Sequence, residues 1–133
     1  MDEKDSVIIE KLEDNARTPF LQIAKQMKVS EGTIRKRVAN LVKKGIIKKF
    51  TIETSSQTNA FVEVTTTSQP PTREIVEEIK KIGVEKIFVV AGRFTILCFI
   101  KADNLNEVRD IVEAIRDIKG VIQTETLPVL KED

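Results

Sequence analysis

Histidine, tyrosine and tryptophan are missing from these 133 residues, and cysteine occurs once. Without histidine the chain lacks the commonest general base, the usual zinc ligand and any Ser–His or Cys–His nucleophile pair. The lone Cys98 lies in the apolar run FTILCFI, which excludes a disulfide framework and reads as a small buried hydrophobe. Carboxylates are plentiful, yet none forms an isolated pair in an apolar setting of the kind a glycosidase uses. The inventory points away from an enzyme, and neither a metal nor a cofactor is expected. No run approaches the roughly 18 apolar residues that a membrane helix needs, so no membrane partner is expected. The opening, MDEKDSVIIE, lacks the basic-then-apolar layout of a secretory signal, and a cytoplasmic location is expected.

What is present is charge, unevenly placed. The net charge is +1, but residues 1–15 hold two Lys against six Asp or Glu, a balance of −4. Residues 16–50 hold ten Lys or Arg against Glu31 alone, a balance of +9, and residues 51–133 return to −4. Solubility needs no such segregation. A basic island between acidic flanks is the footprint of a phosphate-binding surface.

Periodicity places that island on helices. DEKDSVIIEKLEDN carries Val7, Ile8 and Leu12, with Ile9 beside them, on one helical stripe. Thr18 and Pro19 read as an N-cap and first helical residue for FLQIAKQM, with Phe20 or Leu21, Ile23, Ala24 and Met27 inward. Ser30 caps a third helix in which Ile34, Val38 and Leu41, with Val42 a further candidate, face the core. Gly45 ends it. Two short helices joined by a tight turn make a helix-turn-helix. IIKKFTIET, with Ile47, Phe50 and Ile52 as inward candidates, reads as a strand that makes the unit winged.

The remainder alternates in another order. AFVEVTTTS, EKIFVVA, FTILCFIKA and VIQTETLPVL read as strands, and TREIVEEIKKIG and DNLNEVRDIVEAIRDIKG as amphipathic helices. That is βαββαβ, the ferredoxin-like order. The expected fold class is α+β. The expected domains are a winged helix-turn-helix at 1–53, a linker at 54–59 and a ferredoxin-like unit at 60–133.

With the apolar stripe of the third helix inward, Gly32, Thr33, Arg35, Lys36, Ala39 and Asn40 turn outward. The small residues allow close approach to a groove. Arg35 or Arg37 has the reach for guanine or phosphate, and Ser30 and Thr33 for phosphate or a base edge. Arg17, Lys25, Lys28, Lys48 and Lys49 supply further backbone contacts. RNA binding by the βαββαβ half is disfavoured by its few aromatics. The competing reading is an oligomer whose N-terminal bundle docks a protein instead of DNA.

These residues resemble a known family. Asp2 and Asp5, Asn15–Ala16–Arg17, Ile23–Ala24, Ser30, Thr33, Ile34, Arg37, Leu41 and Gly45–Ile46–Ile47 follow the pattern of the Lrp/AsnC feast/famine regulators. Gly92, Arg93, Phe94 and Thr95 sit where that family has Gly-x-Tyr/Phe-Asp, so Thr95 removes a carboxylate. Gly120–Val121 and Thr124-x-Thr126 match its last motif. The resemblance implies a regulator of amino-acid metabolism that binds a pseudo-palindromic double-stranded operator. It implies dimers, joining into tetramers or octamers, whose sheet faces pair. It also implies a small effector, usually an amino acid, held between subunits near the Gly92 turn, Thr124 and Thr126. Threonines at 124 and 126 equally suit ordinary strand propensity. Glu125, on the opposite face, would suit a basic effector.

Overall fold

The computed structural model describes residues 1–55 and 57–133; Ser56, within the expected linker, lies outside them. The chain divides into two units, Met1–Glu53 and Thr54–Asp133.

The first unit holds α1 (Glu3–Asp14), α2 (Phe20–Met27) and α3 (Glu31–Lys43). A capping box starts α1: the Asp2 carboxylate accepts the Asp5 N–H at 2.8 Å, and the Asp5 carboxylate reaches back to the Asp2 N–H. Ile8 and Leu12 of α1 pack with Ile23 and Ala24 of α2 and Ile34 and Val38 of α3. Each of the Ile, Leu and Val side chains contributes about 1.5–3 kcal/mol by leaving water. Of the two candidates at the start of α2, Phe20 packs on this core and Leu21 is exposed. Val42 is exposed too.

Two local expectations fail for identifiable reasons. Helix α2 begins at Phe20 with Pro19 as its N-cap, one residue later than expected. The Thr18 hydroxyl donates to the Asn15 carbonyl at 2.7 Å, and the Pro19 carbonyl accepts from Gln22 and Ile23. The wing strand is the second. Residues 46–53 form no strand, because three helices offer no edge for a ladder. Ile47 packs on the helical core, while Phe50 and Ile52 are 51% and 75% exposed.

The second unit runs β1 (Thr58–Thr66), α4 (Thr72–Ile82), β2 (Lys86–Val89), β3 (Ile96–Ala102), α5 (Leu105–Arg116) and β4 (Val121–Pro128). Its sheet is antiparallel in the order β2-β3-β1-β4, the ferredoxin-like arrangement. Strand β1 starts inside the stretch read as polar linker, because Thr58 and Asn59 pair with Ala102 and Lys101. Alternation then sorts side chains between two faces. Ala60, Val62, Val64, Ile96, Cys98, Ile100 and Ala102 form one core with Ile75 and Ile79 of α4 and Val108, Val112 and Ile115 of α5. Both helices therefore cover the same face. Burial pushes the Cys98 thiol up to about 11, so it is protonated and inert at neutral pH.

Gly120 closes the turn between α5 and β4 with φ at +99°. A Cβ there would lie 2.8 Å from Pro70 Cδ and 3.0 Å from Ile75 Cδ1. Gly120→Ala should therefore destabilise the folded chain by about 1–3 kcal/mol, combining left-handed backbone strain with overpacking. A urea melt with an unshifted midpoint would contradict this packing.

Candidate nucleic-acid interface and effector face

Helix α3 is defined by its two ends. Ser30 Oγ accepts the Thr33 N–H at 3.1 Å, and the two hydroxyls lie 2.8 Å apart. At the far end Gly45, with φ at +74°, closes a Schellman turn. Its N–H donates to the Val42 carbonyl at 3.0 Å, and that of Ile46 to the Leu41 carbonyl at 2.9 Å. The ends hold the helix in a fixed register over Ile34, Val38 and Leu41, all buried.

That register turns Gly32, Arg35, Lys36, Ala39 and Asn40 to solvent, with Thr33 half-buried beside them. Among the described residues a Cβ added at Gly32 would meet only Ser30 Oγ at 3.9 Å, so none of them requires glycine there. Arg35 is 67% exposed; it pairs with Glu31 one turn back, and its guanidinium stands 5.5 Å from the Phe20 ring centroid. Both contacts lie on the surface, where such pairs are weak and exchangeable. Lys36 and Lys44 line a cleft of about 500 Å³ with Thr33, Asn40, Asp2 and Asp5.

Arg37 is placed differently from its neighbours. Its Nη1 donates to Asp2 Oδ2 at 2.7 Å and to Asp5 Oδ1 at 3.1 Å, and the side chain is only 27% exposed. Of the two arginines expected to reach a base or phosphate, Arg35 is open to solvent and Arg37 is engaged by two carboxylates. In the sequence Asp2 and Asp5 stand out only as part of the family pattern, and nothing local signals their reach to α3. Phe20 was assigned to the core alone.

The other expected contacts are scattered around the helices. Arg17 is exposed, its N–H donating to Asn15 Oδ1 at 2.9 Å. Lys28 ends α2 in the left-handed conformation, φ 57°. Lys48 and Lys49 are exposed on the strandless segment after α3.

In the second unit the expected effector residues lie on the turn between β2 and β3 and on β4. Gly92 and Arg93 are exposed, and Phe94 and Thr95 are half-buried. The Thr95 N–H donates to the Val64 carbonyl at 3.0 Å, and its carbonyl accepts from Val90. Thr124 and Thr126 lie opposite Val64 and Val62, on the helix-covered face. Thr124 Oγ1 already accepts from Arg116 Nε at 2.8 Å. Strand β1 separates the turn from these threonines. Glu125 lies on the open face, directly opposite Glu63.

That open face is largely apolar. Phe61 and Phe99 are paired across β1 and β3 with ring centroids 5.0 Å apart, flanked by Leu97 and the exposed Phe88 and Leu127. Lys86 and Lys101 stand 5.6 and 6.0 Å from the Phe99 centroid. Nearby, Asn59 Oδ1 is buried and finds no donor among the described residues. Among the described residues no cluster of His, Cys, Asp or Glu is arranged to hold a metal, and no helix is long and apolar enough to cross a membrane.

The Arg37 guanidinium first, and the Asp5 backbone N–H second, hold the Asp2 carboxyl below its ordinary value. Its contribution to stability is thus complete above the usual carboxylate range and is lost as pH falls through the depressed value. An NMR titration should place the Asp2 midpoint below about 3.9, and Arg37→Gln should return it toward that value. The same midpoint in both chains would refute the contact.

Comparison with known proteins supplies the family. Residues 1–42 match the profile of the AsnC-type helix-turn-helix domain, and residues 59–132 that of the Lrp/AsnC ligand binding domain. The transcriptional regulator LysM of Saccharolobus solfataricus is 42% identical, over 98% of this chain and 94% of its own. The structure of E. coli AsnC matches with a TM-score of 0.75 at 26% identity, over 99% of this chain and 93% of that one. A feast or famine regulatory protein from M. tuberculosis, complexed with L-methionine, shares the fold. Its TM-score is 0.82 at 19% identity, over 98% of this chain and 92% of that one. With the helix-turn-helix and the βαββαβ sheet in this order, the chain belongs to the Lrp/AsnC family of transcriptional regulators.

Proposed function

We propose that this regulator binds double-stranded DNA through the outer face of α3 and responds to an amino acid bound by its second unit. The observation that carries the reading is Gly32. Glycine in a helix costs up to about 1 kcal/mol against alanine, less in the first turn where Gly32 stands, and no contact among the described residues needs it. A bare backbone beside Arg35, Lys36, Ala39 and Asn40 makes sense where the helix must enter a groove. Arg35 is the base-reading candidate. Lys36, Arg17, Lys28, Lys48 and Lys49 supply phosphate contacts, with Ser30 and Thr33 at the helix start.

The partner for the open sheet face is a second copy of this chain. Its exposed phenylalanines, the opposed Glu63 and Glu125, and the unmatched Asn59 oxygen all gain from an apolar surface that carries lysines, as this face does. Pairing presents two α3 helices about one DNA turn apart, roughly 10 base pairs, to a pseudo-palindromic operator. The effector reading is supported by the ligand-binding family profile and by the L-methionine complex of the structural neighbour. We place the effector between subunits, at the sheet end carrying Gly92, Arg93, Phe94 and Thr95 together with Thr124 and Thr126. Thr95 lacks the carboxylate of the family pattern, and Glu125, beside Glu63 on the open face, is an acidic group that would meet a basic side chain.

Fluorescence anisotropy with duplex DNA tests this. Affinity should fall linearly in log–log form with salt, as phosphate contacts require. Gly32→Ala should leave stability unchanged or raise it, by up to about 0.5 kcal/mol, yet weaken DNA binding, separating function from folding. Salt-independent binding, or a Gly32→Ala variant that binds DNA as the parent does, would remove α3 from the reading role.

A further inference from the structure

Three consecutive residues of α3 are basic, and the two arginines among them make different contacts: Arg35 meets Glu31 and Phe20, while Arg37 meets Asp2 and Asp5. The two arginines differ in what their contacts join. Glu31 and Arg35 belong to the same helix, one turn apart, so their pair fixes nothing beyond α3. Arg37 joins α3 to residues more than 30 positions earlier, at the very start of α1.

The bridge engages both carboxylates of the α1 capping box. Asp2 Oδ1 accepts the Asp5 N–H while Oδ2 accepts from Arg37, so one carboxylate both caps α1 and holds α3. Helix α1 packs on α3 through Ile8, Leu12, Ile34 and Val38, which set the distance between the helices. Apolar contacts are non-directional. A charge-assisted contact at the helix start fixes rotation and slide, which the apolar set leaves loose.

We infer that Arg37 is a positioning residue: by bridging Asp2 and Asp5 it locks the orientation of α3, leaving Arg35 and Lys36 as the bases offered to DNA. This rests on the DNA-binding reading of α3. Withdrawing Arg37 from DNA also explains why two carboxylates sit beside a surface that must meet phosphate. They face a cation held within the protein.

The test compares the full chain with Arg37→Gln, Arg37→Lys and Arg35→Gln. A mixed-sequence duplex several helical turns long is the probe, titrated at a series of salt concentrations. Amide hydrogen exchange at Asp5 and Ser6 is followed without DNA. On this mixed-sequence probe Arg35 has no cognate base and its charge falls to phosphate, so Arg35→Gln should reduce the salt slope by about one. Arg37→Gln should keep the parental slope, lose about five- to tenfold in affinity at fixed salt while still folded, and exchange Asp5 and Ser6 about tenfold faster. Arg37→Lys, which keeps a cation within reach of both carboxylates, should recover most of the affinity. A slope lowered by about one in Arg37→Gln overturns the inference, since Arg37 would then be touching phosphate. Parental affinity in a folded Arg37→Gln chain overturns it as well, leaving the bridge a stability contact only. If the parent shows no salt-dependent DNA binding, the DNA reading itself fails. The exchange data then decide whether Arg37 holds α1 to α3: unchanged rates overturn it.

Discussion

Two helices and four strands leave one side of a sheet without cover. In this protein α4 and α5 both pack on the face built from Val62, Val64, Ile96, Cys98 and Ile100. The opposite face must meet water or another surface. It carries Phe61, Phe88, Leu97, Phe99 and Leu127, a patch that water does not favour. Its charges are unresolved within one chain, with Glu63 and Glu125 directly opposed on β1 and β4 while Lys86 and Lys101 lie on β2 and β3. Acidic and basic parts on one apolar face suit a two-fold contact, in which each patch meets its opposite on the partner.

On the proposed function, α3 answers to a different constraint. A surface helix that must enter a groove cannot be anchored through its outer face, so its orientation has to be set from its ends and inner side. Ser30 and the Gly45 turn set the ends, and Ile34, Val38 and Leu41 set the inner side. On the proposed reading, the Arg37 bridge adds the directional contact that apolar packing lacks. Regulation by an effector then needs only a difference in effector affinity between assembly states.

Much of this was legible in the sequence because it depends on local rules. The α3 cap, its apolar stripe and the order of six elements in the second unit follow from turn chemistry and periodicity. What escaped depends on long-range contact. Arg37 looked equivalent to Arg35, because nothing local tells an arginine that it will meet Asp2 and Asp5 across the bundle. The alternation of Phe50 and Ile52 suggested a strand, but alternation supplies no ladder partner. The Arg116–Thr124 contact was equally invisible, since only the docking of α5 brings the two together.

The molar mass of the full chain in solution, by sedimentation equilibrium, tests most directly whether the open sheet face is completed by a second copy. The account predicts a dimer or a multiple of it at micromolar concentration, and dissociation when Phe61→Glu places a charge at the centre of the face. A parent chain that sediments as a monomer of 15.0 kDa would contradict it.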